Sequence, residues 1–261
     1  MRALSIAASG MQAQQTNVDV ISHNIANMNT TAYKRQRAEF EDMLYENLQR
    51  PGATSSASGA ILPLGIQLGS GVRTDAIARD TTQGGLSATG NPYDLAIDGR
   101  GYFQVTLPSG ETGYTRSCNF AGNADGVIVT SDGYPVQPSI TVPTEATAMQ
   151  ISHDGIVEVT IPGQTTPQQL GQLEIATFIN PAGLEAIGDN MLLETPASGS
   201  PNTAVPGTTG YGTISQGFLE LSNVNAVEEI SALIVAQRAY EMNSRVISAA
   251  DEMMQTTTQV R

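Results

Sequence analysis

Residues 218–261, FLELSNVNAVEEISALIVAQRAYEMNSRVISAADEMMQTTTQVR, contain neither glycine nor proline. Residues 11–50 contain neither as well, and apart from Gly10 every glycine and proline of the chain falls within 51–217. These two residue types break helices and make turns, so two helix-competent ends bracket a turn-rich centre. In the C-terminal stretch Ala226, Leu233, Tyr240, Ile247 and Met254 recur every seven residues, with Ile230, Gln237, Ser244 and Asp251 in the intervening row. A 3-4 spacing puts both rows on one side of a helix. The pattern predicts a long helix from about 224 to about 257. Ser222 or Asn223 would cap it, and Glu228 and Glu229 would complement the positive end of its dipole.

The N-terminus repeats this logic. Leu4, Met11, Val18 and Ile25 form one row, and Ala7, Gln14, Ile21 and Met28 form the row three residues on. Asn27, Asn29, Thr30 and Thr31 offer side-chain hydrogen bonds that compete with the backbone ladder and should end the helix. In residues 34–50 Phe40, Met43, Leu44 and Leu48 fit a second helical stripe, or equally the anchors of an extended arm. The segment PGATSSASGA (51–60) is low in complexity and reads as a loop.

The centre reads as β. Asp-Gly pairs at 98–99, 125–126, 132–133 and 154–155 signal turns. Between them lie short strand-like runs at 102–107, 127–130, 156–161 and 173–178. In the first, Phe103, Val105 and Leu107 alternate with Tyr102, Gln104 and Thr106, which predicts one buried face and one more polar face. Asn180-Pro181-Ala182-Gly183 is a further turn, and 198–212 reads as flexible. The fold class is therefore α+β: long N- and C-terminal helices forming a coiled-coil-like pair, with an inserted, mainly antiparallel β domain.

The formal net charge is −13 over 261 residues, and most of the acidic excess lies in the centre. Nucleic acid and anionic membrane surfaces both need clustered Lys and Arg, so neither is expected as a partner. No apolar run reaches the length of a membrane span, and membrane insertion is not expected. Ser5, Ser9, Gln12, Gln14 and Gln15 interrupt the first segment, which argues against a cleavable secretory signal. Cys118 is the only cysteine, so neither an internal disulfide nor a multi-cysteine zinc site can form; it reads as a small buried residue. His23 and His153 belong to no metal-binding pattern and read as helix-surface and turn residues. The Asp-Gly carboxylates could pair as glycosidase acids, but turn chemistry explains them better. No phosphate loop, dinucleotide fingerprint or nucleophile elbow is present. No cofactor, metal site or catalytic residue is expected, and the chain does not read as an enzyme.

A long helix with a narrow apolar stripe cannot bury that stripe by itself. Each fully buried Leu, Ile, Val or Met contributes roughly 1.5–3 kcal/mol, set against roughly 1–2 kcal/mol of backbone entropy for every residue ordered. The two ends could pair as a hairpin within one chain. Their sparse seams favour association between chains.

Four segments carry a resemblance to a known family. SHNIANMNTTAYKRQRAEFEDMLYE (22–46) resembles the N-terminal signature of bacterial flagellar rod and hook proteins, and NPYDLAIDGRGYFQV (91–105) resembles the opening of their central domain. LGQLEIATFINPAGLEAIGDNMLLETPASG (170–199) and QGFLELSNVNAVEEISALIVAQRAYEMNSRVISAADEMM (216–254) are similar to the late centre and the C-terminal helix. Chain length and the run 33–72 are most similar to the distal-rod branch; hook and proximal-rod proteins are the alternatives of the same class, and a wall-degrading enzyme is the alternative of another. The family often has glycine at the position of Ala32, so a positive φ there would be strained. It often has Asp-Gly where Ser117-Cys118 stands, so that turn is expected to differ.

The resemblance implies a structural subunit that self-assembles into a rigid, hollow helical shaft of the flagellar basal body, crossing the periplasm and transmitting torque to the hook. Export would use the flagellar type III apparatus without a cleaved peptide. Partners would be further copies of the chain, the proximal rod and hook proteins, and the surrounding peptidoglycan and outer-membrane rings. Residues 1–32 with 220–261 would form the terminal helical assembly domain, 33–74 with 208–219 an extended connector, and 75–207 an outward-facing β-rich domain. The self-assembly interface is expected at Leu4, Met11, Val18, Ile21, Ile25, Asn27, Asn29 and Tyr33, and at Ile230, Leu233, Tyr240, Ile247 and Met254. A bracing arm between neighbours is expected at Ile61, Leu62, Leu64, Ile66 and Leu68.

Overall fold

The computed structural model describes residues 2–49, 65–164 and 166–259, with the backbone alone at 257–259. The chain divides into two units. One comprises 1–26, 36–79 and 225–261, and the other comprises 27–35 and 80–224.

The first unit holds both long helices. Helix α1 (Arg2–Ala26) stops where Asn27 and Thr30 bond to one another, through Thr30 N to Asn27 O and through their side chains, both at 3.1 Å. Helix α2 (Ala226–Gln259) matches the expected span to within two residues. Its cap is Asn225 rather than Ser222 or Asn223: Asn225 Oδ1 accepts a hydrogen bond from Val227 N at 3.1 Å, satisfying one of the first-turn donors. The two expected residues are engaged elsewhere. Ser222 Oγ accepts from Val224 N, and the Asn223 side chain bonds Arg35 N, Asp80 O and Thr82.

Residues 34–49 take the extended alternative rather than the helical one. Strands β1 (Gln36–Asp42) and β2 (Tyr45–Gln49) run antiparallel to β4 (Val72–Arg79) and β3 (Ile66–Gly69), so 36–49 and 66–79 make one long two-stranded ribbon. The apolar spacing suited a helix, but backbone pairing with a segment far along the chain overrides it. Ribbon and α1 meet closely at Gly71, whose φ is +128° and where a Cβ would lie 2.2 Å from Ser9 Oγ. That same hydroxyl accepts a hydrogen bond from Val72 N at 3.3 Å. Only glycine fits this approach.

The second unit is antiparallel β throughout its strand pairs. Its largest sheet has seven strands. Six run in the order Glu185–Gly188, Met191–Leu193, Thr112–Thr115, Tyr102–Thr106, Ile175–Thr177 and Asn202–Ala204, and Val136–Gln137 pairs on Tyr102–Thr106. The expected strand runs at 102–107, 127–130, 156–161 and 173–178 all contain strands, and the four Asp-Gly turns carry positive φ at Gly99, Gly126, Gly133 and Gly155. Part of 198–212, expected to be flexible, is instead the edge strand Asn202–Ala204, paired with Ile175–Thr177.

Phe103, Val105, Ile97, Val157, Leu173, Ile175 and Ile214 are buried in the main core. Tyr102 is buried too, which the simple alternation missed. It joins Tyr114, Phe178 and Leu184 in a second cluster, where Tyr114 and Phe178 meet edge-to-face with ring centres 4.8 Å apart. Cys118 is buried as expected and its thiol contacts Arg116 O at 2.9 Å. Burial pushes that thiol far up from its usual range, so it stays protonated and unreactive. Cys118 lacks the positive φ that an Asp-Gly turn would bring.

Ala32 has φ +57°, in the left-handed region, and its amide donates to Glu220 O at 2.8 Å. An L residue there costs roughly 1–2 kcal/mol, partly offset by the greater unfolded-state freedom of glycine. Ala32→Gly is expected to stabilise the β unit by up to about 1 kcal/mol, read as a higher urea midpoint. A lower midpoint would mean that the buried methyl group outweighs the strain.

Candidate assembly surfaces and a buried charge hub

Helices α1 and α2 pack antiparallel. Asn24, near the end of α1, bonds Glu229 near the start of α2 at 3.1 Å, while a Cβ at Gly10 would lie 2.9 Å from Asn243 Nδ2. Half of the buried residues on the two helices are alanine: Ala7 and Ala13 on α1 and Ala236 and Ala250 on α2 are buried, together with Val20, Ile21, Asn24 and Glu229. The expected row Ile230, Gln237, Ser244 and Asp251 is exposed, and the inward row lies one residue earlier at Glu229, Ala236, Asn243 and Ala250. Small residues let the helix axes come close, and the large side chains are thereby left outside.

Large apolar side chains therefore line the outer surface of α2. Val227 is 72% exposed, Val235 67%, Met242 61% and Met253 63%, and Ile234 and Val246 are about half exposed. Val235, Met242, Val246 and Met253 are spaced seven, four and seven residues apart, which places them on one face of the helix. Of the sequence-predicted interface, Ile21 is buried; Leu4, Met11, Val18, Ile25, Leu233, Ile247 and Met254 are half-buried; Ile230 and Tyr240 are exposed. Val18 and Tyr240 share a shallow groove with Gln15, Gln237 and Glu241. Asn27, Asn29 and Tyr33 belong to the other unit. Ile66 and Leu68 lie exposed on β3, whereas Ile61, Leu62 and Leu64 fall outside the described residues. The ribbon also exposes Leu44, Tyr45, Leu48 and Ile77. A two-stranded ribbon with apolar side chains in solvent is marginal alone.

The β unit contains a charged hub that sequence reasoning did not find. Glu220 is only 2% exposed. Its Oε1 accepts from Lys34 Nζ at 2.5 Å and from Gly84 N at 2.9 Å, and its Oε2 accepts from Arg116 Nε at 2.8 Å. Arg116 also donates to the carbonyls of Ile97, Gly99 and Gly101, and Lys34 donates to Thr82 O. Five segments thus meet at this hub: those of Lys34, Gly84 and Arg116 bond the Glu220 carboxylate, and 97–101 is held through Arg116. Burial would raise the Glu220 carboxyl, but Arg116, Lys34 and the Gly84 amide hold it below the ordinary glutamate value. Burial, with Arg116 beside it, pulls Lys34 down despite the Glu220 contact. One signal was available: Arg116 is among only four basic residues in 51–217.

Among the described residues no helix is long and apolar enough to cross a membrane, and no group of three or more His, Cys, Asp or Glu side chains could hold a metal ion. The surfaces on offer are apolar strips on helices and on a ribbon.

Three family models match the chain: flagella basal body rod protein at residues 4–34, the flagellar hook protein FlgE/F/G D1 domain at 96–159, and the flagellar basal body rod FlgEFG protein C-terminal region at 215–260. They define the class, that of axial rod and hook proteins. Two curated relatives narrow it. The chain is 57% identical to the flagellar basal-body rod protein FlgG of Caulobacter vibrioides over all of both chains, and 53% identical to that of Agrobacterium fabrum over 97% of each. Identity to the rod protein FlgF of Caulobacter vibrioides is 33%, over 98% of this chain and 96% of the relative. The chain belongs to the FlgG family of flagellar basal-body rod proteins. It is a structural component of the distal rod, and its place is the flagellar basal body.

Proposed function

We propose that the chain polymerises through α1 and α2 into a rigid, hollow helical shaft that transmits torque to the hook. In the polymer the helices of adjacent copies pair in coiled-coil fashion and bury the outer strip of α2. The observation that carries this reading is the division of labour on the helices: small residues meet within the chain, and Val235, Met242, Val246 and Met253 face solvent. A heterologous contact that does not close on itself generates a helical filament. In this reading 1–32 with 220–261 form the assembly domain, 33–74 with 208–219 the connector, and 75–207 face outward. The proximal rod and hook proteins continue the shaft at its ends, the peptidoglycan and outer-membrane rings surround it, and subunits arrive through the flagellar type III apparatus without peptide cleavage. The role is structural, with no catalytic step.

The ribbon and the segment that joins β2 to β3 brace neighbouring subunits through Ile61, Leu62, Leu64, Ile66 and Leu68. Deleting 46–63 removes most of β2 and most of that joining segment. The expected polymer is straight but more compliant, with a shorter persistence length in electron micrographs. An unchanged persistence length would remove the bracing role.

A further inference from the structure

The contacts between α1 and α2 point to a device that selects their register. Half of the eight buried residues on the two helices are alanine, and side chains this small distinguish poorly between offsets one heptad, about 10 Å, apart along the axis. Two contacts break that degeneracy. Asn24 is 1% exposed; its Nδ2 donates to Gln36 O at 2.8 Å and to Glu229 Oε2 at 3.1 Å, and its Oδ1 accepts from Gln36 N at 2.9 Å. Glu229 is likewise 1% exposed. Gly10 gives way to the Asn243 side chain. Fourteen residues separate Gly10 from Asn24, and fourteen separate Glu229 from Asn243, so both contacts are met in the same antiparallel register.

We infer that the Asn24–Glu229–Gln36 clasp is a register lock: it holds α1 and α2 at one axial offset, and so fixes where the outer strip of α2 stands. A slip of one heptad in one direction sets Asn24 opposite Ala236 and carries Glu229 past the end of α1. In the other direction Asn24 passes the start of α2. Either slip strands a buried polar group, which is strongly unfavourable. Buried polar pairs that specify register at little gain in stability are known from helical coils. The inference does not depend on polymer formation, because the register can be read in the isolated full-length chain.

The test is cysteine crosslinking. Positions 17 and 236 lie midway between the two contacts and face each other in the observed register, whereas 17 and 243 face each other after a slip. Asn17→Cys/Ala236→Cys reports the first, and Asn17→Cys/Asn243→Cys reports the second. Each pair is oxidised in the parent chain and in a chain carrying Asn24→Leu/Glu229→Leu, which removes both side chains of the clasp together. In the parent only the 17/236 crosslink is expected. With the leucines the 17/243 crosslink is expected to rise at least about tenfold, the change that losing about 1.4 kcal/mol of discrimination brings. A 17/243 yield that stays at the parent level while 17/236 forms would overturn the inference. Loss of both crosslinks would overturn it too, because the clasp would then be holding the helices together rather than choosing their offset.

Discussion

Val235→Glu/Met242→Glu is expected to abolish polymer growth while leaving the helical content of the dilute chain unchanged. Both side chains are exposed in the single chain, at 67% and 61%, so glutamate costs little there. In the polymer each contributes roughly 1.5–3 kcal/mol when covered, and a charge left in that contact adds a desolvation penalty. The critical concentration for assembly should therefore rise by at least about a hundredfold, the equivalent of about 3 kcal/mol. Sedimentation of assembled material against free chain measures it. Normal polymer at the parent concentration would show that this strip faces solvent in the shaft.

The second large effect falls on the β unit. Glu220→Ala leaves Lys34 and Arg116 buried without their carboxylate, and removing one partner of a buried ion pair typically costs about 3–5 kcal/mol. For a unit of this size that is a fall of about 10 °C in melting temperature. A fall of only a degree or two would mean that water replaces the carboxylate. The same site sets an acid limit. The Glu220 carboxyl is held below its ordinary value of 4.5, so the folded state binds the proton less readily than the unfolded chain. Its stabilisation is complete above about pH 4.5 and is lost as pH falls through the lower folded-state value. Glu220→Gln, which cannot titrate, should flatten the pH dependence of stability below pH 4.5; an unchanged acid slope would assign that loss to other carboxylates.

What could be read in advance follows the range of the interactions involved. Helix α2 was legible because a long run without glycine or proline and with heptad spacing needs only neighbouring residues to be recognised. The Asp-Gly turns were legible for the same reason. The ribbon was legible only as one of two alternatives: Phe40, Met43, Leu44 and Leu48 fit a helix or an extended arm, and pairing with 66–79 decides for strand. The inward row of α2 was set one residue off because hydrophobicity marks the large side chains, while the close contact is made by Ala236, Ala250 and Asn243. The cap moved to Asn225 because Asn223 is held by Arg35, Asp80 and Thr82. Glu220, Lys34 and Arg116 lie far apart in sequence and become a site only when five segments cross. The outward strip Val235, Met242, Val246 and Met253 lies outside both heptad rows, so the heptad spacing did not mark it. In the proposed function that strip is the link between this fold and assembly.

The most direct measurement of that link is a high-resolution electron cryomicroscopy reconstruction of the polymer. Val235, Met242, Val246 and Met253 are expected to lie within about 4.5 Å of apolar side chains from neighbouring copies, with α1 and α2 of one chain still paired through Asn24 and Glu229. A shaft in which those four side chains remain in solvent, and subunits meet only through their β units, would contradict it.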